Sequence, residues 1–207
     1  MLKMQKSKHH VVVNEFSFDS DALVSLYKKM AHCSLPWNEY KTAIKNRNNL
    51  KHTHQGRGDG GLGGVYSPMY EGKHMHEYKE IQDVVNKFNF LEPLGPDDVT
   101  FMTYQPGFTF KKHTDRQMHY NIMMPIIYGN EPECITFWKG EDHERDTTTE
   151  QEYTYNYNTQ HPTIFNGKTI HSVDTIKEFR VVFRIKITHE TYESMIARYE
   201  AGEFLNV

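Results

Sequence analysis

Residues 99–115 read VTFMTYQPGFTFKKHTD and contain the first clear strand of the chain together with its most informative polar residues. The β-prone segment Val99 to Tyr104 stops at Gln105-Pro106-Gly107, a turn sequence. A second short apolar piece follows, and then comes His113-Thr114-Asp115. Another long β-prone segment begins soon afterwards. The sequence therefore predicts that the His-x-Asp pair lies at the mouth of adjacent strands.

The segments around this stretch form a helical first half and a strand-rich second half. Helices are predicted at residues 20–30, 76–90 and 190–199, and further strands at residues 120–128, 134–138, 163–165 and 180–187. Helices first and many short strands afterwards favour helices that support a β-sandwich or barrel.

The composition predicts one globular domain. The 207 residues are 37% hydrophobic and 25% charged, which is enough to bury a core. No stretch reaches the roughly 18 apolar residues of a membrane helix, and the N-terminus has no apolar signal segment. Cys33 and Cys134 make no disulfide framework. We expect a soluble, cytoplasmic protein without a membrane partner, and the net charge of −3 argues against a general nucleic-acid binder.

A third candidate ligand, His171, lies just before the last strong strand. Two histidines and one carboxylate on a rigid β scaffold form the facial triad that holds a non-haem Fe(II) and leaves open positions. Zinc accepts the same ligands, so the ligand types alone leave the metal undecided.

Arg180 lies nine positions after His171, at the start of the final strand. A buried arginine beside a metal site needs an anionic partner, because an unpaired buried charge is very costly. The planar guanidinium suits a carboxylate. A metal with open positions and an arginine for a carboxylate together predict a small dicarboxylate that chelates the metal.

These motifs resemble those of the 2-oxoglutarate- and Fe(II)-dependent oxygenases. The resemblance rests on Tyr104-x-Pro106-Gly107, His113-x-Asp115, and His171 followed nine residues later by Arg180. The prolyl hydroxylase-like branch is the most similar in the spacing from histidine to arginine. The resemblance covers about residues 99–187 and implies a mainly β fold, the double-stranded β-helix, which is also called a jelly roll and is cupin-like. The domain would then comprise helical support and substrate loops in 1–98, the β-helix core in 99–188 and a C-terminal helix in 189–207.

The resemblance also implies roles for individual residues and cofactors. His113, Asp115 and His171 would bind Fe(II), with 2-oxoglutarate and O2 as cosubstrates. Arg180 would pair with the distal carboxylate of 2-oxoglutarate, and Tyr104 would hydrogen-bond the same cosubstrate. Arg184, on the same face of the strand, is the alternative to Arg180, which we prefer on spacing. The presence of Asp115 favours hydroxylation over halogenation, and a peptidyl (prolyl) or free amino acid is the leading substrate hypothesis.

Two other classes of function remain open at this point. A nucleic-acid-modifying oxygenase would need a basic groove, to which Lys111, Lys112 and Arg116 could contribute. A cupin-like metal-binding barrel without oxygenase activity would share the fold and would have no use for Arg180.

Three further features are given structural interpretations. The glycine-rich segment 56–64 is interpreted as a mobile loop, with a lid over the site as the functional alternative. The pairs His52-x-His54 and His74-x-His76 are interpreted as surface residues. Asn121 is interpreted as a solvent-facing strand residue rather than a pocket residue.

Overall fold

The computed structural model describes residues 7–32, 35–36, 54–55, 63–66, 69–70, 73–95, 98–115, 117–130, 134–144 and 146–207. Cys33, Arg116 and His52 lie outside the described residues, as does the glycine-rich segment except for Gly63 and Gly64.

The described residues form three α-helices, two 3-10 turns and fourteen strands. The helices are α1 (Ser20–His32), α2 (Lys79–Val85) and α3 (Tyr192–Glu200), and the 3-10 turns are Met75–Glu77 and Asp142–Glu144. The strands are β1 (His10–Val12), β2 (Leu35–Pro36), β3 (His54–Gln55), β4 (Gly63–Tyr66), β5 (Met69–Tyr70), β6 (Lys73–His74), β7 (Val99–Tyr104), β8 (Phe110–His113), β9 (Tyr120–Ile127), β10 (Cys134–Trp138), β11 (Gln151–Asn156), β12 (Thr163–Asn166), β13 (His171–Val173) and β14 (Arg180–Ile187).

Two antiparallel sheets make the chain mainly β. The larger sheet has six strands in the order β1-β12-β9-β14-β7-β4, and the smaller has four in the order β11-β10-β13-β8. Two short strand pairs, β2 with β3 and β5 with β6, lie outside them. Among the described residues, no helix is long and apolar enough to cross a membrane.

The alternation along β14 shows how the layers are arranged. Val181, Phe183 and Ile185 are fully buried in one core cluster with side chains of α1 and α3. Val182 belongs to a second cluster, shared with β10, β11 and β13 of the smaller sheet. Since successive side chains of a strand point to opposite faces, Arg180 and Arg184 lie on the same face as Val182. The larger sheet therefore packs between the helices and the smaller sheet, and both arginines point toward the space between the sheets.

The sequence predictions for the strands are confirmed at residues 99–104, 134–138 and 180–187. The helix predicted over 76–90 is shorter and ends at Val85. Beyond it, Phe88 forms a β-bridge with Leu205 and its ring packs 5.6 Å from that of Phe204. These contacts with the C-terminal residues take the chain out of the helical path, although the apolar spacing continues.

A pair of buried histidines, His9 and His10, closes one side of the space between the sheets. The ring of His9 stacks on Phe137 at 4.5 Å, and the ring of His10 lies 4.1 Å from that of Tyr155. Burial, with a smaller contribution from neighbouring His9, lowers the pKa of His10 from its usual 6.5 to about 4. The imidazole of His10 is therefore neutral in the folded protein at neutral pH.

This burial predicts a stability loss in mild acid. The unfolded chain takes up a proton on His10 below about pH 6.5, whereas the folded chain does so only near pH 4, so unfolding becomes easier as the pH falls between these values. We expect this histidine to cost up to about 3 kcal/mol of unfolding free energy by pH 4. Urea unfolding of wild type and His10→Phe from pH 7 to pH 4 measures the difference. Parallel pH curves for the two proteins would contradict it.

Candidate metal centre

The two candidate histidines are brought together by the pairing of β8 with β13. His113 and His171 are opposite each other in the register, and their ring centroids are 4.3 Å apart. Asp115 follows two residues after the end of β8, and its Oδ1 lies 3.8 Å from Nε2 of His113. One potential ligand atom from each of the three residues lies within 4.8 Å of the others. Among the described residues, this is the one such group of three.

Backbone carbonyls orient both imidazole rings. Nδ1 of His113 lies 2.8 Å from the carbonyl oxygen of Lys111, and Nδ1 of His171 lies 2.9 Å from that of Thr169. A carbonyl oxygen only accepts, so each Nδ1 carries the proton and donates. The Nε2 lone pair of each ring is then left for a metal, which is the arrangement that typically fixes the tautomer of ligating histidines.

Burial acts on His171 in the direction that metal binding requires. Desolvation lowers its pKa below the usual value, and the effect of Asp115, which would raise it, is smaller. Since a metal binds only the neutral imidazole, the environment of His171 keeps the ring ready to coordinate.

Asp115 is held by the turn that follows β12. Its backbone N–H donates to the carbonyl oxygen of Gly167 at 2.7 Å, and the N–H of Gly167 donates to the carbonyl oxygen of His119 at 2.9 Å. A Cβ on Gly167 would lie 3.0 Å from both Cβ of Asp115 and the carbonyl oxygen of Met118. The close approach of the two segments therefore depends on the absence of a side chain at position 167.

Gly167→Ala is expected to weaken metal binding about 10-fold or more. The added methyl group must displace Asp115 or the backbone at Met118, and both are fixed by hydrogen bonds. Shifts in the supporting contacts of ligands typically cost 10–100-fold in metal affinity. Titration with Co(II) measures the loss. Gly95→Ala is the control, because its Cβ would approach only the carboxylate end of the Asp98 side chain, at 3.1 Å, and neither residue lines the cavity that contains the candidate ligands. An affinity of Gly167→Ala equal to that of the control would contradict the prediction.

The three ligands lie in the wall of a cavity of about 210 Å³ between the two sheets. This volume is below the roughly 300–1,000 Å³ typical of sites for drug-sized ligands. The other lining residues are mostly apolar or aromatic: Met102, Tyr104, Phe110, Met123, Ile135, Phe137, Tyr157, Phe165 and Val173. The polar lining beyond the triad is Asn121 and Arg184. The cavity therefore suits one small molecule beside the three candidate ligands.

Arg184 lies in the cavity wall on the side of Asp115. Its Nε donates to Oγ1 of Thr100 at 3.2 Å, which directs the guanidinium. Burial lowers the pKa of Arg184, while the charges of Tyr104 and Asp115 act in the opposite direction. An arginine stays charged even so, and the cavity therefore contains a cation close to the metal ligands.

Arg180 lies four residues earlier on the same strand, behind two aromatic residues that line the cavity. It is 1% exposed, and its Cζ lies 4.7 Å from the ring centroids of both Tyr104 and Tyr157. Four residues of a strand span about 13 Å, so the two arginines are at different depths along the inner face. Tyr104 itself is 3% exposed, and its hydroxyl lies 3.5 Å from the sulfur of Met102.

The structure brings together most of the residues predicted from the sequence and moves Asn121 into the cavity wall. His113, Asp115, His171 and Tyr104 all line one cavity, with Arg180 packed against Tyr104. The assignment of Asn121 as solvent-facing is wrong, because it is 5% exposed and lines the cavity. The signal was its place inside a strand whose residues are otherwise almost all apolar.

Lys112, one of the two described lysines near the candidate ligands, makes contacts with other parts of the fold. Nζ of Lys112 lies 3.8 Å from the ring centroid of Trp138 and donates to the carbonyl oxygen of Thr148. Lys111 is exposed. Arg116, the third basic residue of the predicted groove, lies outside the described residues.

The structure resembles a number of solved structures at low sequence identity, and three of them serve as examples. No protein-family model matches the chain, and no curated protein matches it in sequence. A prolyl-4-hydroxylase from Pseudomonas putida is 12% identical with a TM-score of 0.46, over 88% of this chain and 95% of that one. An oxidoreductase of the 2OG-Fe(II) oxygenase family from Burkholderia pseudomallei is 7% identical with a TM-score of 0.32, over 45% of this chain and 47% of that one. Vicilin from Corylus avellana is 12% identical with a TM-score of 0.38, over 69% of this chain and 33% of that one. At these scores the likenesses assign no family to this chain.

Proposed function

We propose that this chain is an Fe(II)- and 2-oxoglutarate-dependent dioxygenase with a double-stranded β-helix core, and that it hydroxylates its substrate. The observation that carries the proposal is the convergence of His113, Asp115 and His171 in the wall of one cavity, with both imidazole Nε2 atoms left for a metal. The resemblance of the sequence motifs to this class of oxygenase supports the same assignment.

The donor set fits a divalent iron. Two imidazole nitrogens and one carboxylate oxygen are the ligands of the non-haem Fe(II) oxygenases, in which the remaining positions stay open. Zinc would accept these ligands too. The feature that favours iron is the pair of inward-facing arginines, because a hydrolytic zinc site needs no binding site for a dicarboxylate.

The charges of the cavity favour a dianionic ligand. Asp115 carries one negative charge, whereas Arg184 and Arg180 carry one positive charge each, so a bound metal dication would raise the excess to three positive charges. The 2-oxoglutarate dianion would offset two of them. We assign the distal carboxylate to Arg180, as the motif spacing predicts, and the carboxylate next to the metal to Arg184, which lies nearer Asp115. Tyr104, in contact with Arg180, would hydrogen-bond the same ligand.

The chemistry divides between the cofactors and the chain. When bound, iron with 2-oxoglutarate and O2 supplies the oxidising power for inserting oxygen into a C–H bond. The chain holds the ligands in orientation through the carbonyls of Lys111 and Thr169. The mostly apolar and aromatic walls would limit the water beside the reacting groups, which protects reactive species from side reactions.

The size of the cavity bears on the substrate. At about 210 Å³ it accommodates little beyond a small cosubstrate, so the substrate would present its reactive group from outside. A side chain of a peptide, such as a prolyl ring, or a free amino acid fits this requirement and remains our leading substrate class.

An anaerobic titration tests the proposal. Fe(II) is added to the metal-free protein, followed by 2-oxoglutarate, and the visible charge-transfer band of the chelate is recorded. We expect the band to form and succinate to appear once O2 is admitted. Mass spectrometry of candidate peptides for one added oxygen then identifies the substrate.

The same titration separates the alternatives. Metal binding without the band would refute the oxygenase and leave a cupin-like metal-binding barrel. A band together with salt-dependent binding of DNA or RNA would support the nucleic-acid-modifying oxygenase instead.

A further inference from the structure

Asn121 is a buried polar residue in a strand whose other buried residues are almost all apolar. It is the second residue of β9, whose residues 120–126 are all buried. Its neighbours Tyr120 and Ile122 pack in the cluster on the helix side, so Asn121 faces the cavity. A buried amide costs free energy unless it is hydrogen-bonded. The hydrogen bonds of this side chain therefore indicate its role in the site.

The amide nitrogen of Asn121 holds one oxygen of the candidate carboxylate ligand. Nδ2 donates to Oδ2 of Asp115 at 2.6 Å. An ionised carboxylate only accepts, so the nitrogen must be the atom that faces it, and the orientation of the amide follows from the chemistry. With Oδ2 engaged, Oδ1 of Asp115 is the oxygen near Nε2 of His113.

The amide oxygen of Asn121 is a buried acceptor with no hydrogen-bond partner among the described residues. An unsatisfied buried acceptor costs about 1–3 kcal/mol. The 2-oxoglutarate dianion brings no donor to it, whereas a water molecule or a substrate N–H does. The unused amide oxygen therefore indicates that Asn121 faces a molecule bound in the cavity and does not serve packing alone.

We propose that Asn121 is a positioning residue of the metal centre, whose amide nitrogen holds Oδ2 of Asp115 and thereby directs Oδ1 alone to the metal. The inference rests on the proposed metal site and deepens it. Partners of this kind orient ligating carboxylates, and their loss typically costs 10–100-fold in metal affinity. A chelating carboxylate would occupy a further position on the metal, so holding one oxygen away keeps that position for other ligands.

The test compares three variants by Co(II) binding without 2-oxoglutarate, recording both the affinity and the visible spectrum. Asn121→Ala should bind Co(II) about 10–100-fold more weakly, with an altered spectrum. Asn121→Asp keeps the size of the side chain but loses the donor and repels Asp115, so its loss should be at least as large. Thr163→Val is the matched control, because it also loses a buried side-chain hydrogen bond, with the hydroxyl of Tyr155, and Thr163 does not line the cavity. It should behave as wild type.

The outcomes separate this inference from the proposed function. If wild type binds Co(II) and both Asn121 variants match it in affinity and spectrum, the positioning role is overturned and the metal site stands. If wild type binds no Co(II), the proposed function fails as well. If the variants do not fold, an NMR measurement on the wild-type protein still tests the proposal. On addition of Zn(II), the side-chain amide resonances of Asn121 should shift and remain protected from exchange. Unchanged resonances would overturn the proposal.

Discussion

Replacing His171 by alanine is expected to abolish metal binding and turnover. The substitution removes one of three ligands, and its effect on metal affinity should exceed the 10–100-fold that loss of an outer-shell partner costs. The remaining pair, His113 and Asp115, lies on one short segment and offers only two ligand atoms. Co(II) titration measures the affinity, and succinate formation from 2-oxoglutarate measures the turnover. His113→Ala should give the same result.

The control for this prediction is a histidine outside the cavity whose Nδ1 also bonds to a backbone carbonyl oxygen. Nδ1 of His161 lies 2.9 Å from the carbonyl oxygen of Phe16, as Nδ1 of His171 does from that of Thr169. His161→Ala should therefore lose a similar hydrogen bond but bind Co(II) with the affinity of wild type. A His171→Ala protein that binds Co(II) as tightly as His161→Ala would remove His171 from the ligand set.

Arg180→Ala is expected to weaken 2-oxoglutarate binding by roughly 30-fold to 5,000-fold while leaving the affinity for the metal unchanged. Removing one partner of a buried, hydrogen-bonded charge pair costs about 2–5 kcal/mol, and Arg180 is 1% exposed. The charge-transfer band of the Fe(II) complex, titrated with 2-oxoglutarate, measures the loss. Arg180→Lys should recover part of it, because lysine keeps the charge without the planar fork.

A shortened ligand distinguishes Arg180 from Arg184. 2-Oxobutyrate keeps the 2-oxo acid group that would chelate the metal and lacks the distal carboxylate. In Arg180→Ala the preference for 2-oxoglutarate over 2-oxobutyrate should disappear, whereas in Arg184→Ala both ligands should weaken and the preference should remain. The reverse pattern would assign the distal carboxylate to Arg184.

The sequence predicts the structure best where a single strand or a single motif carries the whole signal. The strand at 180–187 is rich in β-branched and aromatic residues, and its bounds agree with the prediction. The His-x-Asp motif and His171 were identified by residue type and spacing, and the structure places them together. Both successes depend on patterns that are local or carried by a known motif.

The contacts that support the site could not be read from the sequence, because they join distant segments. Gly167 is important only because the turn after β12 lies against Asp115. The sequence alone does not distinguish it from any other turn glycine. The role of Asn121 depends on Asp115 lying within hydrogen-bond reach of β9. The three-residue strands β1 and β13 are too short for a periodic signal, and their pairing partners define them.

The strand order has a consequence for how the chain folds. β1 pairs with β12, and the register that places His113 against His171 forms only when β8 meets β13. Contacts between residues so far apart in sequence make folding slow, since a long loop must be closed before the contact stabilises the chain. We therefore expect the three candidate ligands to come together late, after most of the chain has been synthesised. Uptake of a metal at this site would then mark completion of the fold and would provide no early nucleus for it.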